Sequence, residues 1–503
     1  MNNLQSLNIA SIVNNYSIYS NNTTSESESM EEIDELSDEC NIPLKESNEE
    51  KCHNKYHDID SILENIVGTG GWGQWMILMF TFPIVMSSEL PILIQMFAAY
   101  EPRHRCFVQN CDNGIENNAI QTDFIQYALP IEYGSNEIFR EDENFDPCHM
   151  FEKAESNETT RNSCNANDFF NSSIVRCNGY VYDTSVFEQT LTTKFDLVCD
   201  EESKRRLLDT LMMLGLLIGS LIGGRLSDRF GRKIIMMISQ LILTPVVMFG
   251  GFSPNYTTYA ILRLISATCL PPMWLCCHSL ILEVFGKEYR KSVGIIKGFI
   301  SALAQLTLVL IIFNSRHWTY IHIWAGVACL VPFPCYYFVP ESPRWLAING
   351  KLKQAEKVLL AIAKGNKRVI DEKDRCDIRA SLIVIEAQTN KTKDQEKLSP
   401  KDMFRPGHLM KTLILLLNWV TICVGSYTLL LNSTKLYGDL FLNYTLVVLV
   451  GELPGTIALL FTLKLFGRRL NLFIVQFVLG NHLKLSNSYL SIHNNRNKVS
   501  RLL

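Results

Sequence analysis

Two acids sit where acids are costly. Glu89 lies well inside the apolar run Gln74–Ala99, and Glu452 lies inside the apolar run Phe441–Leu463. A carboxylate within a membrane-length segment is functional by default, and balancing a bound cation is the chemistry open to it. The competing reading of Glu89 is a local contact with outer water or a serine. Aromatic faces attract organic cations by about 0.5–2 kcal/mol, and Trp419 and Tyr427 lie on a third apolar run, Leu409–Leu431. His278 can titrate near neutral pH or serve as packing. Arg263 is the one evident buried base. Two buried acids against one base lean towards a cationic or zwitterionic substrate.

A second group is suited to holding helix ends. In Gly224-Arg225-Leu226-Ser227-Asp228-Arg229-Phe230-Gly231-Arg232-Lys233, a basic turn lies between two apolar runs. Its basic residues place it on the cytoplasmic side. Gly224 and Gly231 are expected to let two helix ends approach. Asp228 is expected at the head of a helix, where the macrodipole favours negative charge. No nucleophile–base pair or metal cluster falls in one compartment, and Gly68-Thr69-Gly70-Gly71 lacks the Lys of a phosphate loop. An enzyme, a cofactor, a metal and a nucleic-acid partner are therefore not expected. The net charge of −4 says little, because the charges are segregated into blocks.

The elements that must position these residues follow from hydropathy. Residues 1–57 are rich in Asn, Ser and Glu, the composition of a disordered tail. Residues 58–99 read as an amphipathic lead-in and a first span. Residues 100–206 form a polar insert holding Cys106, Cys111, Cys148, Cys164, Cys177 and Cys199. Six cysteines suggest disulfides on an oxidising, extracellular side, with fifteen pairings open. Asn157 and Asn171 begin glycosylation triplets in the same insert. Residues 207–339 hold five further spans: Leu207–Gly223, Ile234–Phe252, Thr257–Cys277, Val293–Phe313 and Tyr320–Val339. Residues 340–408 form a basic cytoplasmic loop whose charges read mostly as solvated surface. Residues 409–480 hold two more spans and a marginal ninth, Leu470–Gly480, and residues 481–503 are polar. About 20 apolar residues cross a bilayer, so eight spans are expected. The chain reads as an all-α, multi-pass membrane protein with a cytoplasmic N-terminus. Its disulfide and glycosylation signals point to the plasma membrane.

The turn at Gly224–Lys233 resembles the loop between helices 2 and 3 of the major facilitator superfamily. Further stretches are similar to its organic cation/anion and carnitine transporters: Pro102–Cys106, Tyr182-Asp183, Phe195–Cys199, Glu283 with Arg290, Pro340–Leu346 and Glu452–Gly455. The resemblance runs from about Asp58 to Arg469, with Phe195 standing where a Trp is usual. It implies two helical bundles rocking around a central site near the bilayer midplane. The substrate would be a small organic ion, with a cation or a zwitterion such as carnitine favoured. Trp274 stands where the family places a substrate-facing aromatic, and an Arg is common at the Arg263 position. Asp228, Arg229, Arg232 and Lys233, joined by Glu283 and Arg290, would hold the outward-facing state.

The family has twelve helices, so the resemblance implies a complete six-helix N-terminal bundle and an incomplete C-terminal one. The rival expectation is therefore a truncated, non-transporting membrane protein, associated with a full-length relative, or an incomplete gene model of a twelve-helix transporter.

Overall fold

A computed structural model of the chain describes residues 58–109, 111–112, 124–130, 145–153, 169–395, 404–433, 440–446 and shorter pieces up to 474. Among the described residues, seven helical segments are long and apolar enough to cross a membrane. They are α1 (Trp72–Ala98), α2 (Glu202–Phe230), α3 (Arg232–Gly250), α4 (Tyr256–Val284), α5 (Arg290–Asn314), the pair α6 (Trp318–Ala328) and α7 (Pro332–Phe338), and, further on, the helix Pro406–Ser433. A lead-in of one α-turn (Ile59–Ile62) and a π-turn (Leu63–Val67) precedes them.

α1 is apolar all round and runs through the middle of the bundle, with Ile84, Leu90, Ile94 and Phe97 fully buried. α2 lies outside, turning Leu214, Leu217 and Leu221 outward. Its Gly215 and Gly223 form a seam against α4. A Cβ on Gly223 would lie 2.6 Å from Pro272 Cγ. The helices meet backbone to backbone there, as small residues permit in membranes. Gly224 has nothing within 4 Å of a Cβ, so the close approach expected of it belongs to its neighbour.

The apolar run Tyr320–Val339 is not one helix. It breaks at Cys329–Val331 because Pro332 has no N–H and would clash with the Ala328 carbonyl. The freed Cys329 carbonyl accepts from Gln240 Nε2 at 2.7 Å and Thr244 Oγ1 at 3.2 Å. Backbone exposed within a membrane must be re-satisfied in this way.

The central segment is helical: α8 (Pro343–Ile348), α9 (Leu352–Gly365) and α10 (Glu372–Gln395). α9 buries Leu352, Ala355, Leu359 and Ile362. Glu356 departs from the expected solvated surface. It is buried and accepts from Arg379 Nε at 3.0 Å, with Arg375 Nε at 3.3 Å. Asn366 pins the end of α9 to the lead-in, accepting from Gly73 N–H and donating to the Gly68 carbonyl. α11 (Pro406–Ser433) and α12 (Leu440–Leu446) follow.

The insert carries two small antiparallel sheets. β1 (His104–Cys106) pairs with β4 (Tyr180–Tyr182), and β2 (His149–Lys153) pairs with β3 (Phe169–Arg176). Two disulfides, Cys106–Cys177 and Cys148–Cys199, tie the sheets together, and Cys111 is also disulfide-bonded. Cys164 and Asn157 lie outside the described residues, as does the side chain of Asn171 in β3. His104 joins Cys148 and Cys199 in a metal-like grouping, but those two sulfurs are bonded to each other.

Candidate functional site

The basic turn is built differently from the sequence expectation. Asp228 lies in the last turn of α2, not at the head of α3, because the helix ends only at Gly231, where φ is +104°. A carboxylate at a helix C-terminus opposes the macrodipole. Arg232, one turn on, offsets it, with Nη2 3.2 Å from Asp228 Oδ1. The acid at the head of α3 is Glu341. It accepts from the N–H groups of Arg232 at 3.0 Å and Lys233 at 3.1 Å, and from Ser342 N–H at 2.9 Å. Two orphan donors of α3 are thus satisfied by one charged group. Gly231 must lack a side chain, since a Cβ there would strike the Glu341 carboxylate. Burial pushes the Glu341 carboxyl up, while the three N–H donors and the Arg232 charge oppose that shift.

The cluster extends to α4 and α8. Arg232 Nη2 is 3.7 Å from Glu283 Oε1. Ser342 donates a short hydrogen bond to Glu283 and caps α8 by accepting from Trp345 N–H at 3.1 Å. Trp345 Nε1 donates to the Asp228 carbonyl at 2.8 Å. The ends of α2, α3 and α4 are therefore locked to α8 through Arg232, Glu283, Glu341, Ser342 and Trp345. Lys233 contributes its backbone, and Arg229 is exposed, its guanidinium over the Phe230 ring.

Arg290 joins a neighbouring cluster instead. Its Nη2 is 2.5 Å from Asp60 Oδ1, and Asp60 is only 3% exposed. Arg344 reaches Asp58 at 2.7 Å, and Lys287 approaches both acids. Burial would raise the Asp58 carboxyl, but the Arg344 hydrogen bond and charge hold it below its usual range. This cluster fastens the lead-in to the α4–α5 turn and to α8. The sequence reading missed Asp58, Asp60, Glu341, Ser342 and Arg344. The available signal was the run of charged and capping residues in Pro340–Arg344.

Among the described residues, those expected to bind substrate lie on α1, α4 and α11. Glu89 is half-buried in α1, beside the buried Ser87 and Ser88. Trp274 packs partly buried against the core, and His278 is half-buried one turn on. Trp419 is 67% exposed on α11. The Tyr427 side chain and Glu452 lie outside the described residues. Arg263 is buried and donates to the Pro91 carbonyl at 2.5 Å and the Ile92 carbonyl at 3.2 Å. It braces α1 beside its internal proline. Nearby, Tyr259 Oη lies 3.0 Å from Gln95 Oε1 and 3.3 Å from His322 Nε2, while His322 Nδ1 donates to the Trp318 carbonyl. These groups tie α1, α4 and α6 inside the bundle and went unrecognised in the sequence, because tertiary packing brings them together. A cavity of about 20 Å³ beside Tyr259, Arg263 and His322 is large enough for one water.

Residues 161–488 match the family described as sugar (and other) transporter. The organic cation transporter-like protein of Drosophila melanogaster is 30% identical over 322 residues, which is 60% of this chain and 56% of that protein. Solute carrier family 22 member 1 of Bos taurus is 31% identical over 58% of this chain and 50% of its own length. Solute carrier family 22 member 6 of Pseudopleuronectes americanus is 26% identical over 81% of this chain and 72% of its own. The chain thus spans about half the length of the first and second of these relatives. Among solved structures, the xylose transporter XylE from E. coli matches at 15% identity and a TM-score of 0.47, covering 79% of this chain and 74% of that one.

Proposed function

The chain belongs to the sugar (and other) transporter family, within the major facilitator superfamily, and on that premise we propose that it carries small organic ions across the plasma membrane by alternating access. Its relatives include an organic cation transporter-like protein.

The observation that carries the mechanism is the cluster joining α2, α3, α4 and α8. Each tie is a single hydrogen bond or ion pair, individually breakable, and all lie at one end of the bundle. Such a cluster suits a two-state latch. Closed, it holds the helix ends together on the cytoplasmic side. Its release would free the ends of α2–α4 from α8 and let the bundle move to open the interior to that side. The lead-in lies on the same face, tied to the α4–α5 turn and α8 through Asp58 and Asp60. For the substrate, Glu89 remains the acid that would balance a cation or the ammonium of a zwitterion, with Trp274 offering an aromatic face.

The test is uptake of radiolabelled tetraethylammonium by cells expressing the chain. Glu89→Gln is expected to reduce uptake to background with surface expression unchanged. Unaltered uptake in the variant would remove Glu89 from the path, and preferential uptake of benzoate would overturn the cationic reading.

A further inference from the structure

The insert carries an open cavity of about 380 Å³ between the β1–β4 sheet and the segment that leads back to the bundle. That volume lies within the range of small-molecule sites, about 300–1,000 Å³. Tyr180 and Tyr182 form one wall, their rings 6.2 Å apart and tilted by 45°, and Phe107 adds a third ring. Asp196 accepts from Tyr182 Oη at 2.9 Å, which fixes that ring in place.

The charges facing the cavity are unequal in their commitments. Arg105 is bound by Asp112 through two contacts, at 2.8 and 2.9 Å, so the base is already neutralised. Lys194, nearby, is turned away to the Ser253 carbonyl and the Trp318 ring. Glu188 lines the cavity, is exposed, and has no ion-pair partner among the described residues. Beyond the tyrosines lie Asp196, Asp200 and Glu201, of which the last two are paired with Arg176 and Lys204. Burial first, and then these acids, push the Tyr180 phenol up.

We infer that this cavity is a second binding site, outside the helical bundle, for organic ammonium ions held between the Tyr180 and Tyr182 rings and the Glu188 carboxylate. Ring faces and one uncommitted acid are the recognition set for a quaternary or tertiary ammonium group. The site also touches the bundle. Glu188 N–H donates to the Arg316 carbonyl at 2.9 Å, and Gln189 Oε1 accepts from Trp318 Nε1 at 3.3 Å. The cavity wall thus meets the bundle at the junction of α5 and α6. The inference rests on the proposed outward placement of the insert but not on transport.

Thr184 lines the cavity and is exposed, so Thr184→Cys supplies a reporter there. Intact cells expressing this variant are treated with a membrane-impermeant thiol reagent, and labelling of Cys at that position is followed by mass spectrometry. Saturating tetraethylammonium is expected to slow labelling by about fivefold or more, as site occupancy requires. Benzoate of similar size should not slow it, and adding Glu188→Gln should abolish the protection. Equal protection by benzoate, no protection, or protection that survives Glu188→Gln would overturn the site. Labelling seen only after permeabilisation would overturn the placement of the insert, and protection would then be read in permeabilised cells by the same criteria. Protection with no tetraethylammonium uptake would sink the transport reading alone, and uptake with no protection would sink this inference alone.

Discussion

Glu341 replaces Asp228 as the acid that the helix dipole rewards. It faces the head of α3 with two backbone donors, whereas Asp228 is an exposed partner of Arg232 at the wrong end of α2. A charge at a helix N-terminus is worth about 0.3–2 kcal/mol. Glu341→Gln keeps an acceptor and loses the charge, so the proposed latch should open about 2- to 30-fold more often. Cys276, a free and buried thiol on α4, reports this opening. Its labelling by a thiol reagent should accelerate by that factor, and an unchanged rate would take Glu341 out of the latch. At the other face, His317 caps α6 by accepting from Thr319 N–H at 3.2 Å. Burial lowers its pKa below 6.5, with Glu188 resisting and Lys194 assisting. A depressed folded-state pKa means the unfolded chain binds the proton more readily. Stability is therefore present above 6.5 and lost as pH falls towards the folded value. The melting temperature should drop between pH 7.5 and 5.5, and His317→Asn should flatten that dependence while keeping the cap. An equally steep dependence in the variant would assign the effect to another group.

At the scale of elements, the bundle depends on how closely α2 approaches α4. The seam uses Gly215 and Gly223, and a side chain at Gly223 meets Pro272 directly. Overpacking of this kind costs about 1–3 kcal/mol. Gly223→Leu should lower the thermal midpoint measurably, while Gly224→Leu, with open space around it, should leave it unchanged. Equal effects at both positions would place the seam elsewhere. The apolar runs were legible in the sequence because burial in lipid or in a bundle demands them, and α1 to α5 lie on those runs. The ends were not. Helix α2 continues through Asp228 until Gly231, where the left-handed backbone stops it. The break at Pro332 was written in the sequence, but an apolar count passes over it. The disulfides of the insert were expected as a set, while their pairing depends on which strands meet, which only the fold decides.

At the scale of the molecule, two devices at opposite faces bracket the bundle. On one face the lead-in, α8 and α9 close over the helix ends through Asp58, Asp60, Glu341 and Asn366. On the other the disulfide-tied insert rests on the outer ends of α1, α5 and α6 through Thr192, Glu188 and Gln189. Of the candidate site, the two stretches that meet in it, Gly224–Lys233 and Pro340–Leu346, were legible in the sequence. Its wiring was not, since Glu341 and Lys233 are far apart in the chain and meet only in the fold. The proposed transport of organic ions is tested most directly by tetraethylammonium accumulation in vesicles reconstituted with the purified chain alone. Accumulation above that of empty vesicles, reduced by Glu89→Gln, is expected. Vesicles holding correctly inserted protein that accumulate no more than empty ones would contradict it.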